Sequence, residues 1–164
     1  MQIGIISDIH DNISNLRKAL VMLKDVSVLL CCGDLCSPFI VDELGKGFAG
    51  GDIHVVFGNN DGDLFRLTTK AANYSHLYLH GELCDIELGG QRVAMNHFDE
   101  IARAIAGSTV YDVVCFGHNH QLELTQVGGT LLINPGEVFG GLTGRATCAR
   151  YDTDSRQAHH LEIA

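Results

Sequence analysis

Short blocks of Asp, His and Asn residues follow apolar runs of the sequence at five places, and these residue types commonly bind divalent cations. The blocks are Asp8-Ile9-His10, Gly33-Asp34, Gly58-Asn59-Asn60-Asp61, a lone His97 and Gly117-His118-Asn119-His120. In open α/β sheets, ligands bind just beyond the carboxyl ends of the strands. The repeated placement therefore predicts one site, formed where several strands end.

These blocks supply enough ligands for two divalent cations. The candidate metal ligands are Asp8, His10, Asp34, Asn59, His97, His118 and His120. Asp34 carries two carboxylate oxygens and can bridge two ions. Mixed nitrogen and oxygen ligands favour Mn, Fe, Zn, Co or Ni over Mg and Ca, which prefer oxygen alone. A single zinc ion would leave about half of these ligands without a role.

The charge balance of such a centre favours a phosphate substrate. Two dications bring a formal charge of about +4, and Asp8 with Asp34 neutralises about half of it, so the surplus attracts a phosphate oxyanion. Ions about 3.5–4 Å apart can also hold a bridging hydroxide and aim it at phosphorus. We therefore expect hydrolysis of a phosphate ester.

The composition is that of an ordinary globular protein. The 164 residues are 46% hydrophobic and 19% charged, which suffices for one domain with its own core, and we expect that domain to span residues 1–164. A net charge of -9 with only 11 Lys and Arg residues argues against nucleic acid as a partner. It leaves a small phosphate substrate open, because bound cations reverse the local charge.

Cysteine usage and the apolar pattern favour a cytoplasmic protein. Three of the six cysteines, Cys31, Cys32 and Cys115, lie inside apolar strand runs, where a reduced thiol behaves as a small hydrophobe. No signal-peptide pattern follows Met1, and no apolar run reaches the roughly 18 residues that span a bilayer. We therefore expect no membrane association.

The predicted elements place the polar blocks at strand ends. In the first half, strands at 2–7, 28–32 and 53–57 alternate with helices at 13–23, 37–44 and 63–72. In the second half, a buried run at 110–116 follows a helix over 98–106, and a two-residue period predicts strands at 76–80, 83–88, 91–96, 121–127, 130–134, 146–152 and 157–163. We predict two sheets packed face to face, with helices outside.

Other polar residues receive ordinary roles. Asp61 could cap the third helix while it hydrogen-bonds a metal ligand. Five histidines stand outside the strand-end blocks and are predicted to be surface or core residues; they are His54, His76, His80, His159 and His160.

The order Asp-x-His, Gly-Asp, Gly-Asn-x-Asp, His and Gly-His-x-His resembles the calcineurin-like metallophosphoesterases, and within them the small prokaryotic phosphodiesterase branch. The likeness runs from Asp8 through the Asn134-Pro135-Gly136 turn. It implies an α/β fold, a four-layer αββα sandwich of two mixed sheets flanked by helices. It also implies a homo-oligomer, because relatives form dimers or tetramers.

The resemblance implies a division of the ligands between two divalent transition metal ions, with Mn²⁺ the first candidate. One ion would be held by Asp8, His10, Asp34 and His120. The other would be held by Asp34, Asn59, His97 and His118. We expect the catalytic contributions to come from Asn59, Asp61, His97 and His118.

Three positions depart from the family pattern. Many relatives have a histidine general acid where this chain has Asn60, which favours good leaving groups or leaves protonation to solvent or Asp61. Phe98 replaces a glycine and could narrow the pocket or displace His97. Glu137 replaces a serine and would add negative charge near the site.

The leading hypothesis is a dinuclear metal-dependent phosphodiesterase that hydrolyses small phosphodiesters, with cyclic nucleotides among the candidates, through a metal-bridging hydroxide. A phosphomonoesterase on the same site is the first alternative. The second is a noncatalytic protein-binding scaffold, as in the retromer subunit that shares this fold. Retention of every candidate ligand disfavours the scaffold.

Overall fold

Eleven β-strands form two sheets in a computed structural model that describes residues 1–164. The first sheet has the order β11-β10-β1-β2-β3-β4. Its strands are β1 (Gln2–Ile6), β2 (Val28–Cys31), β3 (Asp52–Val55), β4 (Leu77–Leu79), β10 (Thr147–Asp152) and β11 (Gln157–Glu162). Strands β1 to β4 run parallel, while β10 runs antiparallel to β1 and to β11. The sheet is therefore mixed.

The second sheet has the order β5-β6-β7-β9-β8. Its strands are β5 (Leu83–Leu88), β6 (Gln91–Asn96), β7 (Val113–Cys115), β8 (Leu122–Val127) and β9 (Thr130–Pro135). Strands β6, β7 and β9 run parallel, and the two edge strands are antiparallel to their neighbours. Two mixed sheets were predicted, and the structure confirms them.

Four helices cover the outer faces of the sheets. They are α1 (Ile13–Met22), α2 (Phe39–Gly47), α3 (Leu64–Ala71) and α4 (Asp99–Gly107). None of them has the length and apolarity needed to cross a membrane. Asn12 caps α1 by accepting from the Asn15 amide at 3.1 Å, while Asp63 caps α3.

Three clusters of buried apolar side chains separate four layers. One joins α1, α2 and α3 to the first sheet, one lies between the two sheets, and one joins α4 to the second sheet. Alternation along β1 shows the arrangement, because Ile3 and Ile5 face the second sheet while Ile6 belongs to the helical side. The αββα sandwich is thus confirmed.

Helix α2 continues past its predicted end. The sequence predicted that this helix ends at residue 44, yet it extends to Gly47. A Cβ at Gly45 would lie only 2.5 Å from the Tyr74 ring. The glycine therefore allows close packing against Tyr74, and that packing outweighs the low helix propensity of glycine.

Candidate metal centre

The carboxyl ends of five strands meet at one place and carry all seven predicted ligands. Asp8 and His10 follow β1, Asp34 follows β2, and Asn59 follows β3. From the second sheet, His97 follows β6, and His118 with His120 follows β7. We call these seven residues the main centre. Parallel strands from both sheets thus bring together residues that are up to 112 positions apart (from 8 to 120).

One half of the main centre is built around Asp8. Its Oδ1 lies 3.7 Å from His10 Nε2 and 3.4 Å from His120 Nε2. The His10 and His120 rings stack with their centroids 5.2 Å apart. His10 Nε2 also lies 3.4 Å from Asp34 Oδ2. These nitrogen and oxygen atoms point toward a common volume in which a cation could lie.

The other half of the main centre contains Asn59, His97 and His118. Asn59 Oδ1 lies 3.0 Å from His97 Nε2 and 2.9 Å from His118 Nδ1. His97 Nε2 is also 3.5 Å from Asp34 Oδ2. The same Asp34 oxygen therefore lies close to a histidine of each half, which is the position that a bridging carboxylate requires.

Acceptor atoms face acceptor atoms in both halves of the main centre. His97 Nδ1 donates to the Cys32 carbonyl at 2.8 Å, so in the neutral ring Nε2 carries a lone pair and faces Asn59 Oδ1. His120 Nδ1 contacts Glu137 Oε2 at 2.7 Å, and when it donates there, its Nε2 lone pair faces Asp8. Two lone pairs repel each other unless a proton or a cation lies between them.

Buried atoms of the main centre also lack protein partners. Asp8 Oδ1 and His10 Nε2 are both inaccessible to solvent and make no hydrogen bond within the protein. Asp8 and Asp34 are almost fully buried, and unpaired buried carboxylates are costly. Divalent cations would satisfy these atoms and balance the two charges, so the residues fit a metal centre.

The protonation equilibria of Asp8 and His10 are coupled. Burial acts to raise the pKa of Asp8, but His10 and Ser7, together with the charges of His97 and His120, hold it below its ordinary value. The neighbouring Asp8 carboxylate in turn raises the pKa of His10. Asp8 is therefore charged near neutral pH, as a metal ligand must be.

Glu137 contacts the His120 ring nitrogen that faces away from Asp8. The sequence did not reveal this role. The side chain is fully buried. While one oxygen contacts His120, the other accepts from the Leu142 and Thr143 amides at 3.1 and 2.7 Å and from Thr143 Oγ1 at 2.7 Å. Burial acts to raise the pKa of Glu137, but the Thr143 hydrogen bonds and His120 lower it overall. Glu137 thus places negative charge near the site, as predicted, and its contact with His120 fixes the orientation of that imidazole.

Asp61 connects the loops that carry Asp34 and Asn59. Its Oδ2 accepts from the amides of Gly58 at 2.7 Å and Asp34 at 3.0 Å, and its Oδ1 accepts from the Cys36 amide at 2.9 Å. Burial raises the pKa of Asp61. Because both oxygens are engaged by backbone amides, Asp61 positions the ligands and does not cap α3.

Asn60 and Phe98, two departures from the family pattern, also border the main centre. Asn60 donates to Asp34 from its backbone amide at 2.8 Å and from its side-chain amide at 2.7 Å. Phe98 packs edge-on against the rings of His97 and His118 at centroid distances of 5.2 and 5.1 Å. His97 remains fully buried beside Asp34 and Asn59, so Phe98 does not displace it.

Five of the seven residues have backbone conformations that L-residues rarely adopt. The φ angles of Asp8, His10, Asp34, His118 and His120 are 52°, 43°, 56°, 70° and 59°. Each such residue costs of order 1–3 kcal/mol and persists only where the surroundings enforce it. Asp and His are enriched at positive φ but mostly adopt other conformations, so these residue types alone do not predict the angles.

A glycine before His118 allows two strand ends to approach closely. A Cβ on Gly117 would lie 2.5 Å from Asp8 Oδ2 and nearer still to Ser7 Oγ. The His118 amide consequently reaches Asp8 Oδ2 at 3.1 Å. Glycine is therefore needed at this position because there is no space for a side chain between the ends of β1 and β7.

The fold and the site define a phosphoesterase, and the chain belongs to the calcineurin-like phosphoesterase superfamily, whose domain model matches residues 1–156. The resemblance expected from the sequence is thereby confirmed, and with it the class of enzyme.

Individual relatives are similar over the whole chain. Phosphodiesterase MJ0936 of Methanocaldococcus jannaschii is 32% identical over 167 aligned residues, covering 99% of each protein. The solved structure of a novel archaeal phosphodiesterase matches with a TM-score of 0.92 at 30% identity, covering 99% of this chain and 100% of that chain. Vacuolar Protein Sorting 29 from Cryptosporidium parvum shares the fold alone, with a TM-score of 0.71 at 17% identity and coverage of 98% and 95%.

Proposed function

We propose that this chain is a dinuclear metal-dependent phosphodiesterase that hydrolyses small phosphodiesters. The observation that carries the proposal is the acceptor pairing in both halves of the main centre, where His97 Nε2 faces Asn59 Oδ1 and His120 Nε2 faces Asp8 Oδ1. Each pair needs its own proton or cation between the facing lone pairs, and two metal ions would satisfy both pairs at once. The similarity to proteins named phosphodiesterases supports a diester, rather than a monoester, as the substrate.

The proposed ligand sets share Asp34. Asp8, His10, Asp34 and His120 would hold one ion, and Asp34, Asn59, His97 and His118 would hold the other. When bound, the two ions would neutralise the buried carboxylates, attract the phosphate and lower the pKa of a water between them. Manganese is the first metal to test, because mixed nitrogen and oxygen ligation suits it.

The protein residues divide into those that reach the substrate and those that orient ligands. His118 and Asn59 are accessible to solvent, whereas His97 is fully buried. We therefore propose that His118 and Asn59 border the reacting phosphate. His97 would act only as a metal ligand, and Asp61 would hold the loops that carry Asp34 and Asn59 in place. A cavity of about 270 Å³ adjoins this region, and His120 is the one residue of the main centre that lines it, together with Thr143 and Arg145 among others.

Protonation of the leaving group limits the range of substrates. Asn60 occupies the position at which a general acid would stand, and its amide donates to Asp34 rather than to solvent. Asp61 has both oxygens occupied. The departing alkoxide would thus take its proton from water, so esters with acidic leaving groups should react fastest.

Turnover of the apoprotein reconstituted with Mn²⁺ tests the proposal. We expect cleavage of bis-p-nitrophenyl phosphate, slower cleavage of the matched monoester p-nitrophenyl phosphate, and a loss of roughly 10³-fold or more in Asp34→Ala, about 4 kcal/mol of transition-state stabilisation. Asp154→Ala, an exposed aspartate, should behave as the parent. Faster turnover of the monoester would establish the phosphomonoesterase, and full activity in Asp34→Ala would refute the site.

The number of metal ions bound per chain distinguishes the enzyme from the noncatalytic protein-binding scaffold. About two tightly bound ions per chain, falling in Asp34→Ala, would support the enzyme. A folded chain that takes up no metal at the main centre would instead support a protein-binding role.

We extend the proposal to domain organisation and location. Strand β10 returns to pair with β1, and β11 pairs with β10, which favours one domain over residues 1–164. All six cysteines are free and five are buried, which favours a cytoplasmic protein. A homo-oligomer and a cyclic nucleotide substrate remain proposals that sedimentation and substrate screening would test.

A further inference from the structure

A second group of metal-binding side chains lies outside the main centre. It consists of His54 on β3, His80 directly after β4, and Cys84 on β5, and one ligand atom from each lies within 4.8 Å of the other two. We call these three residues the His54–His80–Cys84 cluster. The sequence interpretation gave both histidines ordinary roles, and none of the three contributes to the proposed hydrolysis.

The two histidine nitrogens of the cluster lie near the spacing of a tetrahedral metal site, and one nitrogen of each lies within 4.8 Å of Cys84 Sγ. His54 Nδ1 and His80 Nε2 are 2.9 Å apart. Tetrahedral zinc with Zn–N bonds near 2.0–2.1 Å and Zn–S bonds near 2.3 Å requires N–N separations of about 3.3 Å and N–S separations of about 3.6 Å. Movements of a few tenths of an ångström in side chains, without backbone change, would bring the two nitrogens to that spacing.

Regular backbone structure holds the three ligands in place. His54 pairs in register with Tyr78 on β4, and the His54 and Tyr78 rings stack at 5.2 Å. The His80 amide donates to the Val55 carbonyl at 2.9 Å. Cys84 pairs with Met95 on the neighbouring strand β6. The ligands therefore do not depend on a mobile loop for their arrangement.

We propose that His54, His80 and Cys84 bind one Zn²⁺ ion, with water as the fourth ligand. Two imidazoles and a thiolate suit zinc and exclude Mg²⁺ and Ca²⁺. Cys84 is fully buried, while both histidines are partly exposed, so the fourth position would open toward solvent. The ion would connect β3 and β4 of the first sheet to β5, an edge strand of the second sheet.

The protonation states of the cluster are compatible with metal binding. Burial lowers the pKa of His54, with a smaller contribution from His80, and burial lowers the pKa of His80 as well. Both imidazoles are therefore neutral at pH 7. Burial raises the pKa of Cys84 to about 12, so binding of the ion would displace a proton from the thiol, and affinity would fall at acid pH.

Cobalt absorption distinguishes this cluster from the main centre. Co²⁺ added to the purified protein should produce a thiolate-to-cobalt charge-transfer band, because the seven residues of the main centre include no cysteine. Cys84→Ser should abolish the band. Cys36→Ser is the matched control, because Cys36 Sγ lies 3.5 Å from His10 Nδ1 and is the thiol closest to the main centre; this variant should keep the band.

Zinc content supplies a second measurement that does not depend on Cys84. His80→Gln should bind about one Zn²⁺ ion fewer per chain than the parent, whereas the exposed His159→Gln should bind as many. Absence of a thiolate band in the folded parent, or a band lost in Cys36→Ser but kept in Cys84→Ser, would overturn the proposal. In that case His54 and His80 are a hydrogen-bonded pair without an ion.

Discussion

Histidine side chains cluster at two places in this molecule, and the two clusters differ in backbone conformation. In the main centre, Asp8, His10, Asp34, His118 and His120 all have positive φ angles and lie in loops after strand ends. In the His54–His80–Cys84 cluster, no residue has a positive φ angle, and two of the three lie within strands. The first site therefore combines backbone strain with buried carboxylates, whereas regular strands hold the second in place without such strain.

The largest expected effect comes from filling the space between β1 and β7. Gly117→Ala would push a methyl group against Ser7 Oγ and Asp8 Oδ2. We expect the free energy of unfolding to fall by about 1–3 kcal/mol and diesterase activity to be lost, because Asp8 must move. Urea denaturation measures the first effect and Mn²⁺-dependent turnover the second.

The matched control for this substitution is Gly129→Ala. A Cβ on Gly129 would meet nothing within 4 Å, so stability should change by less than about 0.5 kcal/mol. The Co²⁺ thiolate band of the other cluster should survive in both variants. Equal stability of Gly117→Ala and Gly129→Ala would contradict the close approach on which the main centre depends.

Glu137→Gln should weaken metal binding in the main centre alone. An amide can accept from His120 only weakly and can also rotate its NH₂ toward the ring, so the tautomer of His120 would no longer be fixed. We expect Mn²⁺ affinity to fall roughly 10- to 100-fold, measured from the Mn²⁺ dependence of activity. Glu87→Gln, an exposed glutamate on β5, should leave Mn²⁺ affinity unchanged.

The pH dependence of the main centre follows from His10. Asp8 raises the pKa of His10, so the protonated imidazole stabilises the apoprotein below the unfolded pKa, and this contribution is lost as the pH rises through the folded pKa. Protons compete with metal for the same nitrogen. Apparent Mn²⁺ affinity should therefore rise with pH by up to about tenfold per unit until His10 is deprotonated, as calorimetric titrations at several pH values would show. Affinity independent of pH from about 5.5 to 8 would exclude His10 as a ligand.

The smallest expected effect concerns the leaving group. Asn60→His would place an imidazole where the amide now contacts Asp34, and general acid catalysis should then raise turnover of diesters with poor leaving groups. We expect a gain of roughly tenfold, below the 10²–10⁴-fold of an optimised acid, and almost no gain for p-nitrophenolate esters. The measurement is the dependence of log turnover on the pKa of the leaving group, across a series of aryl diesters, in the parent and in Asn60→His. An equal slope in the two proteins would contradict the role that we assign to Asn60.

The strand-end blocks were sufficient to predict the main centre, because parallel strands end at a common edge and the polar residues after them must meet. The sequence could not reveal that Glu137 orients His120, since that contact depends on the conformation of the 142–143 loop. It also could not reveal the second cluster, because His54, His80 and Cys84 become neighbours only through the placement of β3, β4 and β5.

The most direct test of the main centre is an anomalous difference map from a crystal soaked in Mn²⁺. We predict two peaks on either side of Asp34 Oδ2, one between Asp8 and His120 and the other between Asn59 and His97. A map without the second peak, in which His97 Nε2 still contacts Asn59 Oδ1 directly at about the present 3.0 Å, would contradict the dinuclear centre.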